Sequence, residues 1–183
     1  MAVDSLASLR SIVYASSLLF SVVCYAEIDI NSTAVLNHVS ESILEATTSY
    51  SDRISYCDNQ VKSNEAPKLD KEYLNSLNAT RENSLTAVVY LKSKNYFLCE
   101  RDARLELAFH LGTMESIRRE LLIDPSAVKK LQSIISYPSI RELELELEYL
   151  KLPKPQRKYF ESVFGIKPYD LMKTLESNQL IRE

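Results

Sequence analysis

Residues 34–61 read AVLNHVSESILEATTSYSDRISYCDNQV, and apolar side chains recur along this segment every three or four positions. That spacing places them on one face of an α-helix, while Ser, Glu, Asn and Asp occupy the opposite face. The apolar positions are Val35, Leu36, Val39, Ile43, Ala46, Tyr50, Ile54, Cys57 and Val61. The pattern predicts one long amphipathic helix, which ends before Pro67 because a residue that precedes proline is disfavoured in the helical conformation.

A second helical pattern follows and carries Cys99. In a straight antiparallel hairpin, Cys99 would lie about 40 Å from the residue opposite Cys57, at 1.5 Å per residue. A disulfide requires Cα atoms within about 7 Å, so a bridge between the two cysteines requires a break in the second pattern. The polar residues 78–84 are the predicted break. We therefore expect a short helix over 69–80 and a longer helix over 84–111, with the two cysteines side by side.

Two segments of the chain have residue patterns that would also suit β-strands. Residues 86–91, TAVVYL, are rich in β-branched side chains, which leaves a strand as the alternative there. Residues 142–148, ELELELE, alternate strictly, but Leu and Glu favour helices. Ser139 and Glu142 have the spacing of a helix-starting capping box, and Pro153 supplies a stop. A helix is therefore predicted, with a core-facing stripe made of Ile140, Leu143, Leu147 and Leu150.

Proline recurs through the last third of the chain, at positions 125, 138, 153, 155 and 168. Apart from 153–155, the intervals between these prolines are 13 to 15 residues, and each is long enough for one short helix. Gly165 stands where a helix end needs a left-handed residue, and Ile166 is predicted to make the closing hydrophobic contact. Several aromatic side chains are predicted to be core residues: Tyr50, Tyr73, Tyr96, Tyr159, Phe160 and Phe164, with Val163 beside them.

The N-terminal 26 residues have the pattern of a secretory signal peptide. Residues 11–26 are uncharged and largely apolar, and a polar stretch follows Ala26. The run is short for a bilayer span, which needs about 20 predominantly apolar residues. The alternatives are an uncleaved N-terminal anchor and a lipoprotein acylated at Cys24. The prediction is a secreted or periplasmic protein with a mature chain of residues 27–183.

Export agrees with the cysteine count, because cleavage would leave only Cys57 and Cys99. An even count in an exported protein favours one disulfide, and two buried free thiols are the alternative. The bridge would close a loop of about 43 residues, which is worth about 4 kcal/mol in the chain-entropy model.

Composition excludes several classes of function. With Gly112 and Gly165 as its only glycines, the sequence cannot contain a phosphate-binding P-loop, a dinucleotide-binding GxGxxG or a GxSxG nucleophile motif. The net charge of −3 argues against nucleic-acid binding, which requires a basic excess. His38 and His110 are the only histidines, and neither belongs to a recognisable metal-binding or catalytic motif. No catalytic residue, metal ligand or cofactor is therefore predicted.

A basic patch is the candidate binding surface. It consists of Lys151, Lys154, Arg157 and Lys158, and it could contact an acidic partner or an anionic membrane surface. Tyr56 falls outside the apolar stripe of its helix and is a second candidate for partner contact, because tyrosine is enriched in interfaces.

These observations predict an exported all-α protein in a single domain. A long-helix bundle over residues 27–112, stapled by one disulfide, is followed by a lobe of short proline-bounded helices over 113–183. The predicted function is non-catalytic binding of another protein, as an assembly factor or inhibitor. The alternatives are a carrier of a small apolar ligand and an enzyme with a dispersed carboxylate site.

Overall fold

The computed structural model describes residues 30–121, 129, 132, 135 and 139–181. Across these ranges the secondary structure is helical, without a strand, so the predicted all-α class is confirmed. The helices are α1 (Ile30–Ser63), α2 (Lys71–Ser76), α3 (Arg81–Leu121), α4 (Ile140–Leu150), α5 (Lys154–Phe164) and α6 (Leu171–Ser177). The predicted signal peptide lies outside the described residues.

The described residues fall into two compact units. The first unit contains the residues up to Asp52 and those from Asp102 to position 135. The second unit contains Arg53–Arg101 and positions 139–181. Each of the long helices α1 and α3 contributes one part to each unit, because the unit boundaries fall within both helices.

The first unit is built on the apolar stripe predicted for α1. Its buried side chains are Val39, Ile43, Ala46, Thr47 and Tyr50 from α1 and Leu107 and Leu111 from α3. The Thr47 hydroxyl donates to the Ile43 carbonyl oxygen, so this polar side chain is satisfied inside its own helix. The Arg104 guanidinium lies 5.4 Å from the centre of the Tyr50 ring and donates to the Ile135 carbonyl oxygen at 2.9 Å.

The disulfide in the second unit joins α1 to α3, as predicted. The Cα atoms of Cys57 and Cys99 are 6.0 Å apart. The break that brings them together is a turn between α2 and α3, where Asn78 adopts a left-handed φ of 51°. The Thr80 hydroxyl then accepts from the Asn83 amide and begins α3.

Helix α3 is a helix, as predicted, but it is longer than the predicted range of 84–111. Residues 86–91 are helical, and Val88 and Leu91 are buried, so their β-branched composition is overridden by packing. The helix also continues through Gly112 to Leu121. A single exposed glycine costs a helix only about 1 kcal/mol, which neighbouring interactions can offset. Here Arg118 and Arg119 both bind the carboxylate of Glu115 within the last turns.

Helix α4 begins with the predicted capping box. The Glu142 amide donates to the Ser139 hydroxyl, and the Ser139 amide donates to the Glu142 carboxylate. The predicted core stripe is wrong, however. Its members are the exposed side chains Ile140, Leu143, Leu147 and Leu150. The opposite face packs inward, because Tyr149 stacks on Tyr90 with ring centres 4.4 Å apart and is 2% exposed.

The end of α5 also agrees with its prediction only in part. Gly165 adopts a φ of 55°, and its amide donates to the Glu161 carbonyl oxygen, so the predicted glycine end is present. Ile166 is 76% exposed, so the predicted closing hydrophobic contact is wrong. The chain instead turns back through Tyr169, whose ring lies 5.0 Å from that of Phe164.

The core of the second unit collects side chains from every helix after α1. Its buried members are Leu74, Ala87, Val88, Leu91, Tyr149, Leu152, Phe160, Phe164, Tyr169, Leu175 and Leu180. Hydrogen bonds that span long stretches of sequence tie this core together. The Tyr169 hydroxyl donates to the Val88 carbonyl oxygen at 2.7 Å, and the Asn95 side chain donates to the carbonyl oxygens of Phe164 and Lys167.

Candidate functional site

A groove open to solvent lies between one face of α5 and the start of α2. Its volume is about 820 Å³. The lining residues are Asp70, Tyr73, Lys154, Pro155, Lys158, Tyr159 and Ser162. Two of the four predicted patch residues, Lys154 and Lys158, therefore meet two tyrosines and a proline at one surface depression.

Helix α5 presents these residues because its two faces differ. Lys154, Lys158 and Ser162 recur at intervals of four and so share one side of the helix. The other side buries Gln156, Phe160 and Phe164 in the core of the second unit. The predicted burial of Phe160 and Phe164 is confirmed, and Tyr159 and Val163 pack against the same core. Burial of one side fixes the other side toward solvent.

A buried amide holds α5 in place beneath the groove. The Gln156 side chain donates to the Leu77 carbonyl oxygen and accepts from the Asn83 side chain, both at 3.0 Å. Both polar ends of a side chain that is 2% exposed are thereby satisfied. Because Leu77 caps the end of α2 and Asn83 lies in the first turn of α3, this amide connects α5 to the turn between those two helices.

The opposite wall of the groove is the first turn of α2. The Asp70 carboxylate accepts from the amides of Glu72 and Tyr73 and caps the helix. The Tyr73 ring lies 4.8 Å from the Tyr159 ring, at an angle of 44° between the ring planes. Tyr73 is 49% exposed, so its predicted place in the core is wrong. A six-residue helix has little surface to bury, and Leu74 alone among its residues is buried.

The groove carries positive charge that a ligand can reach. Lys154 and Lys158 are exposed, and within the described ranges neither forms a salt bridge. The single carboxylate in the lining, Asp70, is already bonded to two backbone amides. An anionic group is therefore the charged ligand that complements this surface.

The structure places the other predicted partner-binding residues outside the groove. Lys151 caps the end of α4 and pairs with Glu148 at 2.5 Å. The Arg157 guanidinium donates to the Leu152 carbonyl oxygen and so holds the connection before α5. Tyr56 is 49% exposed on α1, where the Arg53 guanidinium lies 4.7 Å from its ring centre.

Five lining residues were not assigned to a site by the sequence: Asp70, Tyr73, Pro155, Tyr159 and Ser162. Asp70 was detectable as a helix cap, because an aspartate precedes a short run of helix formers. Its position next to α5 was not detectable, because it depends on a contact across 89 residues of sequence. That contact is the hydrogen bond from the Asp70 amide to the Tyr159 hydroxyl, at 2.6 Å.

Outside the groove, three described groups have pKa values shifted by hydrogen bonds or burial. Hydrogen bonds from Arg118 and Arg119 lower the pKa of Glu115 to about 2. Burial raises the pKa of Tyr169, and burial together with the Glu161 carboxylate raises that of Tyr149. In the part of the chain that the structure describes, no three His, Cys, Asp or Glu side chains gather in a way that could hold a metal ion.

None of the described helices combines the length and apolar character that a membrane crossing requires. No protein-family model, curated protein or solved structure shows significant similarity to this chain.

Proposed function

We propose that this chain is an exported, non-catalytic protein-binding module that recognises an acidic segment of a partner protein in the groove between α2 and α5. The observation that carries this proposal is the meeting of Tyr73 and Tyr159 with Lys154 and Lys158 in one solvent-open depression. Assembly factors and inhibitors are the classes of binding protein that this description covers.

The residue types in the groove suit an extended acidic peptide. Tyrosine rings offer large contact areas at low conformational cost, together with a hydroxyl group for hydrogen bonding. Pro155 adds a rigid apolar surface to the lining. The two lysines, one helical turn apart on α5, can pair with carboxylates two or more residues apart in an extended chain. Exposed charge pairs are screened by salt, so binding should weaken as ionic strength rises.

The walls of the groove are held before any ligand arrives. The Gln156 side chain bonds α5 to the Leu77 carbonyl oxygen, and the Tyr159 hydroxyl bonds α5 to the Asp70 amide at the start of α2. The Asn178 side chain bonds the chain ahead of α2 through the Leu69 amide and the Pro67 carbonyl oxygen. A binding site that is already ordered loses less entropy when it binds, which favours affinity.

The proposal that the chain is exported rests on the N-terminal sequence and on the disulfide. Disulfides persist in oxidising compartments and are rare in the cytosol. The Cys57–Cys99 bridge is compatible with secretion or with a periplasmic location.

The test is a selection of short random peptides on the immobilised, oxidised chain, followed by affinity measurement of the enriched peptides. The variant K154E/K158E reverses both positive charges of the groove. K167E/K173E is the matched control, because it makes the same change in net charge at two exposed lysines outside the groove lining. We expect acidic peptides to be enriched, and K154E/K158E to weaken their binding by about tenfold or more.

Three outcomes would contradict the proposal. These are no enrichment, enriched peptides without acidic residues, and equal weakening by the groove variant and the control. A parallel arm measures binding to vesicles with and without phosphatidylserine. Binding to anionic vesicles in the absence of acidic-peptide binding would replace the protein partner with a membrane surface.

A further inference from the structure

The turn between α2 and α3 carries a sequence pattern that the proposed binding function does not use. Residues 78–80 read Asn-Ala-Thr, which is the N-x-Ser/Thr acceptor pattern for N-glycosylation, with alanine rather than proline in the middle position. A pattern of three residues recurs by chance, so its meaning depends on where the fold places the acceptor. A usable acceptor is an exposed asparagine in a surface turn, with a side chain that the fold itself does not need.

Asn78 lies in such a turn, just after α2. It occupies the left-handed position of a helix-ending Schellman motif, with a φ of 51°. Its backbone amide donates to the Asn75 carbonyl oxygen at 3.0 Å, and the Ala79 amide donates to the Leu74 carbonyl oxygen at 2.9 Å. Ala79 also packs against the core of the second unit. The turn is therefore held by its backbone and by its neighbour, without the Asn78 side chain.

The side-chain amide of Asn78 is available for modification. The residue is exposed, and no residue in the described ranges forms a hydrogen bond with its side chain. Other asparagines of the second unit are used by the fold. The Asn83 side chain donates to that of Gln156, and the Asn95 side chain donates to two backbone carbonyl oxygens. An oligosaccharide on the Asn78 Nδ2 would therefore replace no contact of the folded chain.

Thr80 completes the acceptor pattern and also has a structural role. Its hydroxyl accepts from the Asn83 amide at 3.1 Å and caps the start of α3. Asparagine likewise suits the left-handed position at 78, because it tolerates a positive φ better than most residues do. The acceptor pattern can be separated from these local roles by substitution, because glycine also fits the left-handed position and aspartate also caps helices.

We propose that Asn78 is an N-glycosylation site of the exported chain. The reaction transfers an oligosaccharide from a polyprenyl diphosphate donor. The bond between C1 of the first sugar and the diphosphate oxygen breaks, and a bond from C1 to the Asn78 Nδ2 forms. The polyprenyl diphosphate leaves, and Nδ2 releases a proton. This inference rests on the export in the proposed function, because only a chain that enters the secretory pathway reaches the donor and its transferase.

The glycan is attached outside the peptide-binding groove. Asn78 is not a lining residue, and Asp70, the lining residue that caps the start of α2, lies at the opposite end of that helix. Glycosylation and the binding of acidic peptides are therefore separate properties, and each can fail without the other. An oligosaccharide at this turn adds a bulky hydrophilic group to the surface where α2 ends.

Expression of the full chain in cultured eukaryotic cells tests the proposal, with mass analysis of the chain from medium and cells before and after digestion with a peptide N-glycosidase. A second acceptor pattern begins at Asn31, so every chain carries N31Q and the remaining loss of mass reports Asn78. We expect the N31Q chain to lose the mass of one oligosaccharide on digestion. N78G and T80D should abolish that loss while they keep the turn and the helix cap. T80S should retain it, because serine preserves both the pattern and the cap.

N75Q is the matched control, since it replaces an exposed asparagine in the last turn of α2 that belongs to no acceptor pattern, and it should retain the loss of mass. A secreted chain with its disulfide formed and no loss of mass would overturn the inference and leave export standing. A loss that persists in N78G and T80D would overturn it as well. A full chain that stays in the cytosol with free thiols would contradict export and the inference together, while peptide binding to the purified oxidised chain still tests the groove.

Discussion

The Tyr159 hydroxyl accepts a 2.6 Å hydrogen bond from the backbone amide of Asp70 and so joins α5 to the first turn of α2. The same two residues line the groove proposed as the binding site. The structural bond and the binding surface are thus parts of one feature, and disturbance of the bond should be visible in both stability and binding.

Substitution Y159F removes this bond and keeps the ring. We expect a loss of about 0.5–1.5 kcal/mol in the free energy of unfolding, measured by urea denaturation. Peptide binding should weaken because the start of α2 is held less firmly. Y56F is the control, since it removes an exposed hydroxyl outside the groove. Equal effects of Y159F and Y56F on stability would show that the bond to Asp70 does not contribute.

The disulfide should make a larger contribution. It spans 42 residues of sequence, so C57A/C99A should lose up to about 4 kcal/mol in the free energy of unfolding, by the chain-entropy argument. Reduction of the wild-type chain should produce a loss of similar size. Thermal or urea unfolding with and without reductant makes the comparison. The double variant should show no response to reductant, and a wild-type chain equally stable in both conditions would contradict the expectation.

Gln156 is expected to be the most sensitive polar residue beneath the groove. Q156A leaves the Leu77 carbonyl oxygen and the Asn83 amide without this partner and also creates a cavity. The expected loss is about 2–4 kcal/mol in the free energy of unfolding. S162A, which removes an exposed hydroxyl from the same helix, is the control. A loss no larger than that of S162A would contradict the role given to the amide.

Glu115 should produce a dependence of stability on pH in the acid range. Its pKa in the folded chain is about 2, against an ordinary value of 4.5, because Arg118 and Arg119 donate hydrogen bonds to its carboxylate. A lowered folded pKa stabilises the folded state above about pH 4.5, and this contribution is lost as the pH falls through about 2. R118A/R119A should raise the pKa of Glu115 in a carboxyl NMR titration. An unchanged midpoint would contradict the assignment of its cause.

Much of the local structure could be predicted because its causes are local. The capping box at Ser139 depends on residues three apart, and the left-handed turn at Gly165 depends on one residue type. The break between α2 and α3 followed from a covalent constraint, since the bridge from Cys57 to Cys99 fits only if the second helical pattern is interrupted.

The orientation of α4 and the position of Tyr73 depend on distant partners and could not be predicted in the same way. Periodicity shows that one face of α4 is apolar, but Tyr90 and Ser93 decide that the Glu and Tyr face packs inward. Likewise, Tyr73 turns toward Tyr159, which lies far away in sequence. The groove also depends on contacts between residues far apart in sequence. The sequence therefore indicated only its basic side.

Isothermal titration of the oxidised chain with an enriched acidic peptide, at low and high salt, tests the proposed binding function most directly. We expect binding to the wild-type chain and to K167E/K173E, weakening as salt rises, and a loss of about tenfold or more in both K154E/K158E and Y73A. Affinity for K154E/K158E equal to that of the wild-type chain, with no dependence on salt, would contradict the proposal.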